Sequence, residues 1–342
     1  MTALPGALLT VPIVGAPLAG GPTSPALAAA VSEAGGLGFL AAGYKTADSV
    51  AADIDTLRGM TARPFGVNLF FPAREPVDAG HLAAYVERMA AEAARYSVAV
   101  GEPRWSDDGW EAKLDLVRRE RPDVVSFTFG CPSRDVVEEL RAAGSGVWCT
   151  VTSPSEAEQA AAAGVDALVV QGGEAGGHQG SFRDGSDDPF PLLVLLQLVR
   201  RATNLPLVAA GGIATAEAIA GVLAAGASAA QLGTALLMTP EAGTPDVHRQ
   251  ALREGRPTRL TRAFTGRRAR GLVNRFMTEH DREAPAAYPE IHHLTAPIRA
   301  AARAAGDGEA VNLWAGQSHR LAEERPAADV VGALALGLER SR

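Results

Sequence analysis

From residue 11 to residue 240 the chain repeats one phrase: a short apolar run, a turn of Gly, Pro or Ser, then an Ala-rich stretch with apolar positions at helical spacing. Strand and helix in alternation predict a parallel sheet with its helices outside, because a parallel neighbour is reached only through a crossover connection. The apolar runs span 13–18, 38–43, 65–71, 124–130, 147–151, 167–171, 207–211 and 229–236. Eight is the strand number of a closed (β/α)8, or TIM, barrel. An open doubly wound sheet would show the same alternation, but glycine clusters at many of the run ends favour closure. Ser24 with Pro25, Ser49, Ser133, Ser155 and Thr215 mark helix starts, and Gly35, Gly144, Gly164 and Gly226 mark helix ends.

Two stretches break the rhythm. Residues 78–101 add an amphipathic helix beyond the one the third crossover needs, and residues 241–326 mix Arg, Pro and His with helical pieces. The predicted organisation is therefore α/β. Residues 1–240, completed by the Ala/Leu/Val-rich 327–342, form the barrel, and 241–326 form a smaller helical domain that covers the substrate at one barrel mouth.

Composition adds mainly exclusions. The 342 residues are enough to bury a core without staples, and 47% hydrophobic with 21% charged is ordinary for a globular protein. A net charge of -7 without a dense Lys/Arg run argues against nucleic acid or an anionic membrane as partner. Arg267, Arg268 and Arg270 read as a solvated surface turn. No apolar stretch reaches the roughly eighteen residues of a membrane span, and the start MTALPGALLTVPIVG lacks a basic region before its apolar residues. The expectation is a soluble, cytoplasmic protein. Cys131 and Cys149 have no metal-type spacing and fit a reducing compartment, with Cys131 read as a half-buried strand-end thiol.

Candidate chemistry lies at the ends of the runs, where such a barrel keeps its reactive face. AAGGIAT (209–215) and QLGTAL (231–236) offer Gly211, Gly212 and Gly233, whose backbone can approach a phosphate closely, and the hydroxyl of Thr234. In VVQGGEAGGHQG (169–180) the glycines around Glu174, Gly176 among them, leave room for a flat ring against backbone. Gln171 can offer that ring a donor and an acceptor, and His178 is the candidate acting side chain. Asn68, an amide in the apolar strand FGVNLF, either satisfies backbone or meets a ligand. GAPLAGGP sets Ala16 and Pro17 at a strand end for backbone contact with a ring. His280, His292 and His293 have no zinc-type spacing, and no metal is assigned.

In their order, GAPLAGG, GVNLF, VVQGGEAGGHQG, AAGGIAT, QLGTALL, MTPEAGTPDVHRQAL, FTGRRARGLVNRFM, HHLTAPIR and NLWAGQ resemble the nitronate monooxygenase family, formerly called 2-nitropropane dioxygenases. The resemblance covers nearly the whole chain apart from 78–120 and the last turns. It implies a noncovalent FMN on a barrel and the oxidative denitrification of alkyl nitronates, such as propionate 3-nitronate, by dioxygen without a nicotinamide. It makes Asn68, Gln171, Gly176, Gly212, Gln231, Leu232, Gly233 and Thr234 FMN contacts. His178 becomes the histidine that takes the α-proton of a neutral nitroalkane or interacts with the nitronate. His292, His293 and Trp314 fall in motifs the family uses near its pocket, and a protonated histidine there would attract the carboxylate of propionate 3-nitronate.

The chain departs from the family pattern at Gln179, where Arg is common, at His292 and His293, where an aromatic is common, and at Ser318 and His319 after NLWAGQ. These departures bear on the substrate more than on cofactor or fold. Two other readings stay open: an FMN barrel that uses NAD(P)H to reduce an enoyl thioester or quinone, and a non-redox barrel that binds a sugar phosphate. The oligomeric state is open, a homodimer included.

Overall fold

Each apolar run becomes a strand, and the strands follow one another around a ring. In the computed structural model, which describes Leu4, residues 8–185 and residues 188–340, they are β1 (Ile13–Gly15), β2 (Gly38–Ala41), β3 (Phe65–Phe70), β4 (Val124–Thr128), β5 (Gly146–Val151) and β6 (Ala167–Gln171). The two-residue β7 (Gly177–His178) lies outside the ring, which continues with β8 (Leu207–Ala210) and β9 (Ala229–Leu232). The parallel order is β1-β9-β8-β6-β5-β4-β3-β2. Leu37 closes the ring, donating to the Ile13 carbonyl at 3.0 Å while its own carbonyl accepts from Gly15 N at 2.9 Å. The fold is a (β/α)8 barrel.

Alternation within the runs supplies two cores. Val14, Phe39, Val124, Trp148, Val169 and Val208 fill the barrel interior. Their chain neighbours Ile13, Leu40, Val125, Val147, Leu168 and Leu207 pack under the outer helices. A strand covered on both faces needs apolar residues at both parities, which is why the runs are continuous. Most strands are shorter than the runs: residues 16–18, 42–43, 129–130 and 233–236 leave the ladder to build loops at the carboxyl ends.

Ser24, Ser133 and Thr215 cap helices as expected, accepting from Leu27 N, Val136 N and Ala218 N. Two caps fall elsewhere. Thr46, not Ser49, caps Ala47–Met60 and accepts from Ser49 N at 3.2 Å. Ser153, not Ser155, caps Pro154–Ala163 and accepts from Glu156 N at 3.3 Å. In each case the earlier hydroxyl reaches the third backbone N–H and Ser49 or Ser155 is already helical, with Pro154 pre-set for the first turn.

The interruption before β4 holds two helices. Trp110–Glu120 serves the crossover. Ala79–Arg95 joins a separate apolar cluster in which Tyr85 and Met89 meet Phe264, Phe276, Ile291 and Leu294. After β9 come the helix Asp246–Glu254, the strands β10 (Thr258–Thr261) and β11 (Ala269–Leu272), and the helices Arg275–His280 and Glu290–Ala304. The excursion is thus not wholly helical as expected. β11 pairs antiparallel with both β10 and β7, because the extended Gly177–His178 segment presents backbone groups that need partners. Ala327–Arg340 returns to the outer barrel core through Val330, Val331 and Leu334. No helix among the described residues is long and apolar enough to cross a membrane.

Candidate active site

A cavity of about 310 Å³ opens at the carboxyl ends of the strands. Ala16 and Pro17 from the loop after β1, Asn68 on β3, Gln171 on β6, Gly176, His178, Gly211, Gly212, Gln231, Gly233 and Thr234 line it, as do His292 and Trp314. Two expected contacts are absent from its wall. Leu232 is fully buried and its carbonyl accepts from Ala16 N at 2.8 Å. His293 sits behind His292, their rings 5.4 Å apart, with Nε2 buried and unpartnered.

Two loops converge at one end of this cavity. Gly212 has φ +70 and an added Cβ would come 3.2 Å from Glu174 Cβ, so both conformation and space favour glycine. Among the described residues no group accepts from the N–H of Gly212, Gly233 or Thr234. Behind Gly212 begins the helix Ala216–Ala224, and Gly233 opens a 3-10 turn, Thr234–Leu236. Thr234 Oγ1 accepts from Gly316 N at 2.9 Å, which leaves its proton free to donate. Unpaired N–H groups near helix starts are able to receive an anion.

The glycine loop after β6 is held from several sides. Gln171 spends its amide on that loop: Nε2 donates to the His178 carbonyl at 3.1 Å and Oε1 accepts from Gly180 N at 2.6 Å. The Glu174 carboxylate accepts from Leu192 N at 3.0 Å, the start of Leu192–Ala202. Here the arginine cluster departs from its surface reading. Arg267 is 2% exposed, its guanidinium lies 4.3 Å from the Phe129 ring centroid, and it donates to the Ser181 carbonyl. Arg270 donates to the Gly173 carbonyl at 2.8 Å. β11 carries Arg270 toward the loop because it pairs with β7, a contact that local composition cannot reveal.

His178 stands on β7 with its ring centroid 5.6 Å from Trp314, 5.7 Å from Tyr288 and 5.8 Å from Phe129. Its Nε2 lies 2.9 Å from Thr265 Oγ1, and that hydroxyl donates to the Arg267 carbonyl at 3.2 Å. With the hydroxyl proton so used, Nε2 carries the imidazole proton and Nδ1 keeps its lone pair. Burial, then the positive charges of Arg267 and Arg299, push the His178 pKa down to about 3. The ring is neutral at ordinary pH.

Asn68, 2% exposed, meets the first of its two expected purposes, its Nδ2 donating to the Ser126 carbonyl at 3.3 Å. Nδ2 donates to Ser126 Oγ at 2.9 Å and Thr128 Oγ1 at 3.0 Å, while no group among the described residues donates to Oδ1, and the residue lines the cavity. Tyr44, Tyr288, Thr265 and Arg299 were not singled out from the sequence. Tyr44 has φ +66, its N–H donates to Asp108 Oδ1 at 3.0 Å, and it stacks on His292 at 4.2 Å. Tyr288 OH donates to Tyr44 OH at 3.1 Å, and burial raises both phenols, Tyr44 to about 12. Beside them burial and then Arg299 push His292 down to about 2. Burial first, and then the neighbouring guanidinium, keep the unliganded His292 ring neutral.

Of the cysteines, Cys131 is half-buried as expected, and Cys149 is fully buried with its pKa raised by that burial. Glu92, Glu279 and His280 lie close enough to hold an ion, but Arg275 pairs with both carboxylates and Arg95 with Glu92, so the positive charge is already supplied.

A barrel with unpaired N–H groups at the last two strand ends and a neutral histidine facing the same cavity defines an oxidoreductase-type site when set beside its relatives. The chain belongs to the nitronate monooxygenase family, whose model matches residues 2–337. It is 40% identical over 341 residues to a nitronate monooxygenase of Paraburkholderia phytofirmans, covering 96% of this chain and 93% of that one. A nitroalkane oxidase structure from Streptomyces ansochromogenes superposes with a TM-score of 0.96 at 54% identity, covering 98% of each chain. FabK from Thermotoga maritima gives 0.76 at 28% identity, covering 98% of this chain and 95% of that one. The protein is an enzyme, an oxidoreductase of this family that acts on nitronates or nitroalkanes.

Proposed function

We propose that the protein holds FMN and oxidises alkyl nitronates with dioxygen, releasing a carbonyl compound and the nitrogen as an oxyanion. The observation that carries the reading is the coincidence, in one cavity, of free N–H groups at Gly212, Gly233 and Thr234 with His178. The residues fit the cofactor: the two glycine loops suit its phosphate, Ala16, Pro17 and Gly176 offer small surfaces for a flat ring, and Asn68 Oδ1 awaits a donor. When bound, the flavin supplies the electron acceptor that no side chain can provide.

The protein's own part is positioning and proton control. His178 is held in one tautomer by Thr265, with Nδ1 left as the atom that can receive a proton. At a pKa of about 3 it is too weak a base to deprotonate a neutral nitroalkane readily. An anionic nitronate beside it would offset the Arg267 and Arg299 charges and raise its proton affinity. The preformed nitronate is thus the favoured substrate, and propionate 3-nitronate the first to test. The aromatic wall of Phe129, Tyr288 and Trp314 excludes water from the reacting carbon. Residues 241–326, with Ala79–Arg95, act as the cover that sets which nitronate fits.

The test is the purified yellow protein given alkyl nitronates in air, with oxygen uptake and nitrite or nitrate release measured. Uptake with nitronates and little with the neutral nitroalkanes is expected. A colourless protein, or one that consumes no oxygen with any nitronate, overturns the reading.

A further inference from the structure

Arg299 is 8% exposed, lines the cavity, and has no carboxylate of the described residues within 4.0 Å. Its donors go to neutral groups: Nε to Thr295 Oγ1 at 3.0 Å, Nη1 to Asn312 Oδ1 at 3.3 Å and Nη2 to the His292 carbonyl at 2.8 Å, with His292 Nδ1 also 3.4 Å from Nη2. Those bonds fix the plane of the guanidinium and leave its charge unanswered. A buried charge without a counter-ion is costly, and a chain keeps one where a ligand brings the opposite charge. The groups that bear on it bring no negative charge at ordinary pH: the Tyr44 phenol, its pKa pushed up to about 12 by burial, stays neutral, and Arg303, one turn along the same helix, adds a second positive charge and also lines the cavity.

We propose that Arg299 is the specificity residue that receives a carboxylate on the substrate, so that the site prefers short dianions carrying a nitronate at one end and a carboxylate at the other. The proposal rests on the nitronate reading above and deepens it. The anion Arg299 awaits is distinct from the cofactor's phosphate, whose cradle follows β8 and β9, whereas Arg299 bonds to His292, which stacks on Tyr44 after β2. A carboxylate meets a guanidinium through charge-assisted N–H bonds, and Arg299 keeps the second N–H of Nη1 for one, beside the bond to Asn312. Arg303 lines the cavity and is also exposed to solvent, where its charge draws the anion in.

Succinate tests this without turnover, because it matches propionate 3-nitronate in length and charge but cannot be oxidised at a nitronate carbon. Calorimetric titration of the flavin-loaded enzyme is expected to show succinate binding at least tenfold tighter than butyrate, its monoanionic counterpart. Arg299→Met should erase that preference and Arg299→Lys restore part of it. In kinetics, Arg299→Met should lower the ratio of kcat/KM for propionate 3-nitronate over that for propyl 1-nitronate by thirtyfold or more. Arg303→Gln, at an exposed position that leaves the fold intact, should lower the same ratio by a smaller factor. Equal binding of succinate and butyrate by the parent overturns the proposal, as does a preference that survives in Arg299→Met. Loss of flavin from Arg299→Met with the preference for succinate intact in its flavin-bound fraction makes Arg299 a cofactor residue and also overturns it. None of these binding results depends on nitronate turnover, so the oxidation itself can stand or fall separately.

Discussion

His178 is positioned through Thr265, and the two side chains make separable contributions. Replacing His178 by Asn should leave the flavin bound and lower nitronate turnover by tenfold or more, because the variant loses the ring that Thr265 holds in the cavity. Thr265→Val should lower turnover by tenfold or more with Thr265→Ser largely restoring it, because the hydroxyl sets the tautomer through its 2.9 Å contact. A Val variant at parental rate would remove that role. Titration gives a further expectation. His178, His248 and His292 have folded pKa values of about 3, 4 and 2, all below the ordinary 6.5. As pH falls below about 6.5 the unfolded chain takes up protons that the folded chain does not, so stability drops by up to about 1.4 kcal/mol per pH unit for each histidine. Above 6.5 none of them contributes. His292→Phe should therefore lose about 1–2 kcal/mol less stability than the parent between pH 7 and pH 5 in urea unfolding. An unchanged difference would mean that His292 titrates normally. At this scale the motif residues His178 and Asn68 were legible because each is a polar side chain in an otherwise apolar or glycine-rich run. Arg299 was not legible in this way, although it is a charge inside the helical stripe of Ile291, Leu294, Thr295, Ile298 and Ala302.

Elements explain which parts of the pattern could be read. The eight strands and their outer helices follow from local alternation of apolar runs and caps, and they appear where the sequence places them. β10 and β11 did not, because TRLT and ARGL carry arginines that composition assigns to solvent, while the pairing of β11 with β7 depends on a loop about ninety residues away, as in the contact of Ala269 with His178. Loop function is testable through Gly212. Gly212→Asp forces a side chain into φ +70 and sets a carboxylate where the phosphate is proposed to sit. The purified variant should carry little flavin by visible absorbance; a fully yellow variant would move the phosphate elsewhere.

For the whole molecule the central feature is one cavity with walls from two apolar clusters, the barrel core and the cluster of Tyr85, Phe264 and Ile291. A ligand bound there should stabilise both together. Saturating FMN at a hundredfold its dissociation constant adds about 2.7 kcal/mol, and calorimetry should show one transition moving upward. Two transitions with only one shifted would separate barrel from cover. The family-level activity was legible across the chain because the motifs recur in order, while the selectivity was not, because it depends on charges brought together from the two layers. The most direct measurement of the central claim is anaerobic mixing of the flavin-loaded enzyme with propionate 3-nitronate and, separately, with NADH, followed in the flavin bands. The account predicts rapid loss of oxidised flavin absorbance with the nitronate and a far slower change with NADH. Rapid bleaching by NADH with no response to the nitronate would contradict it.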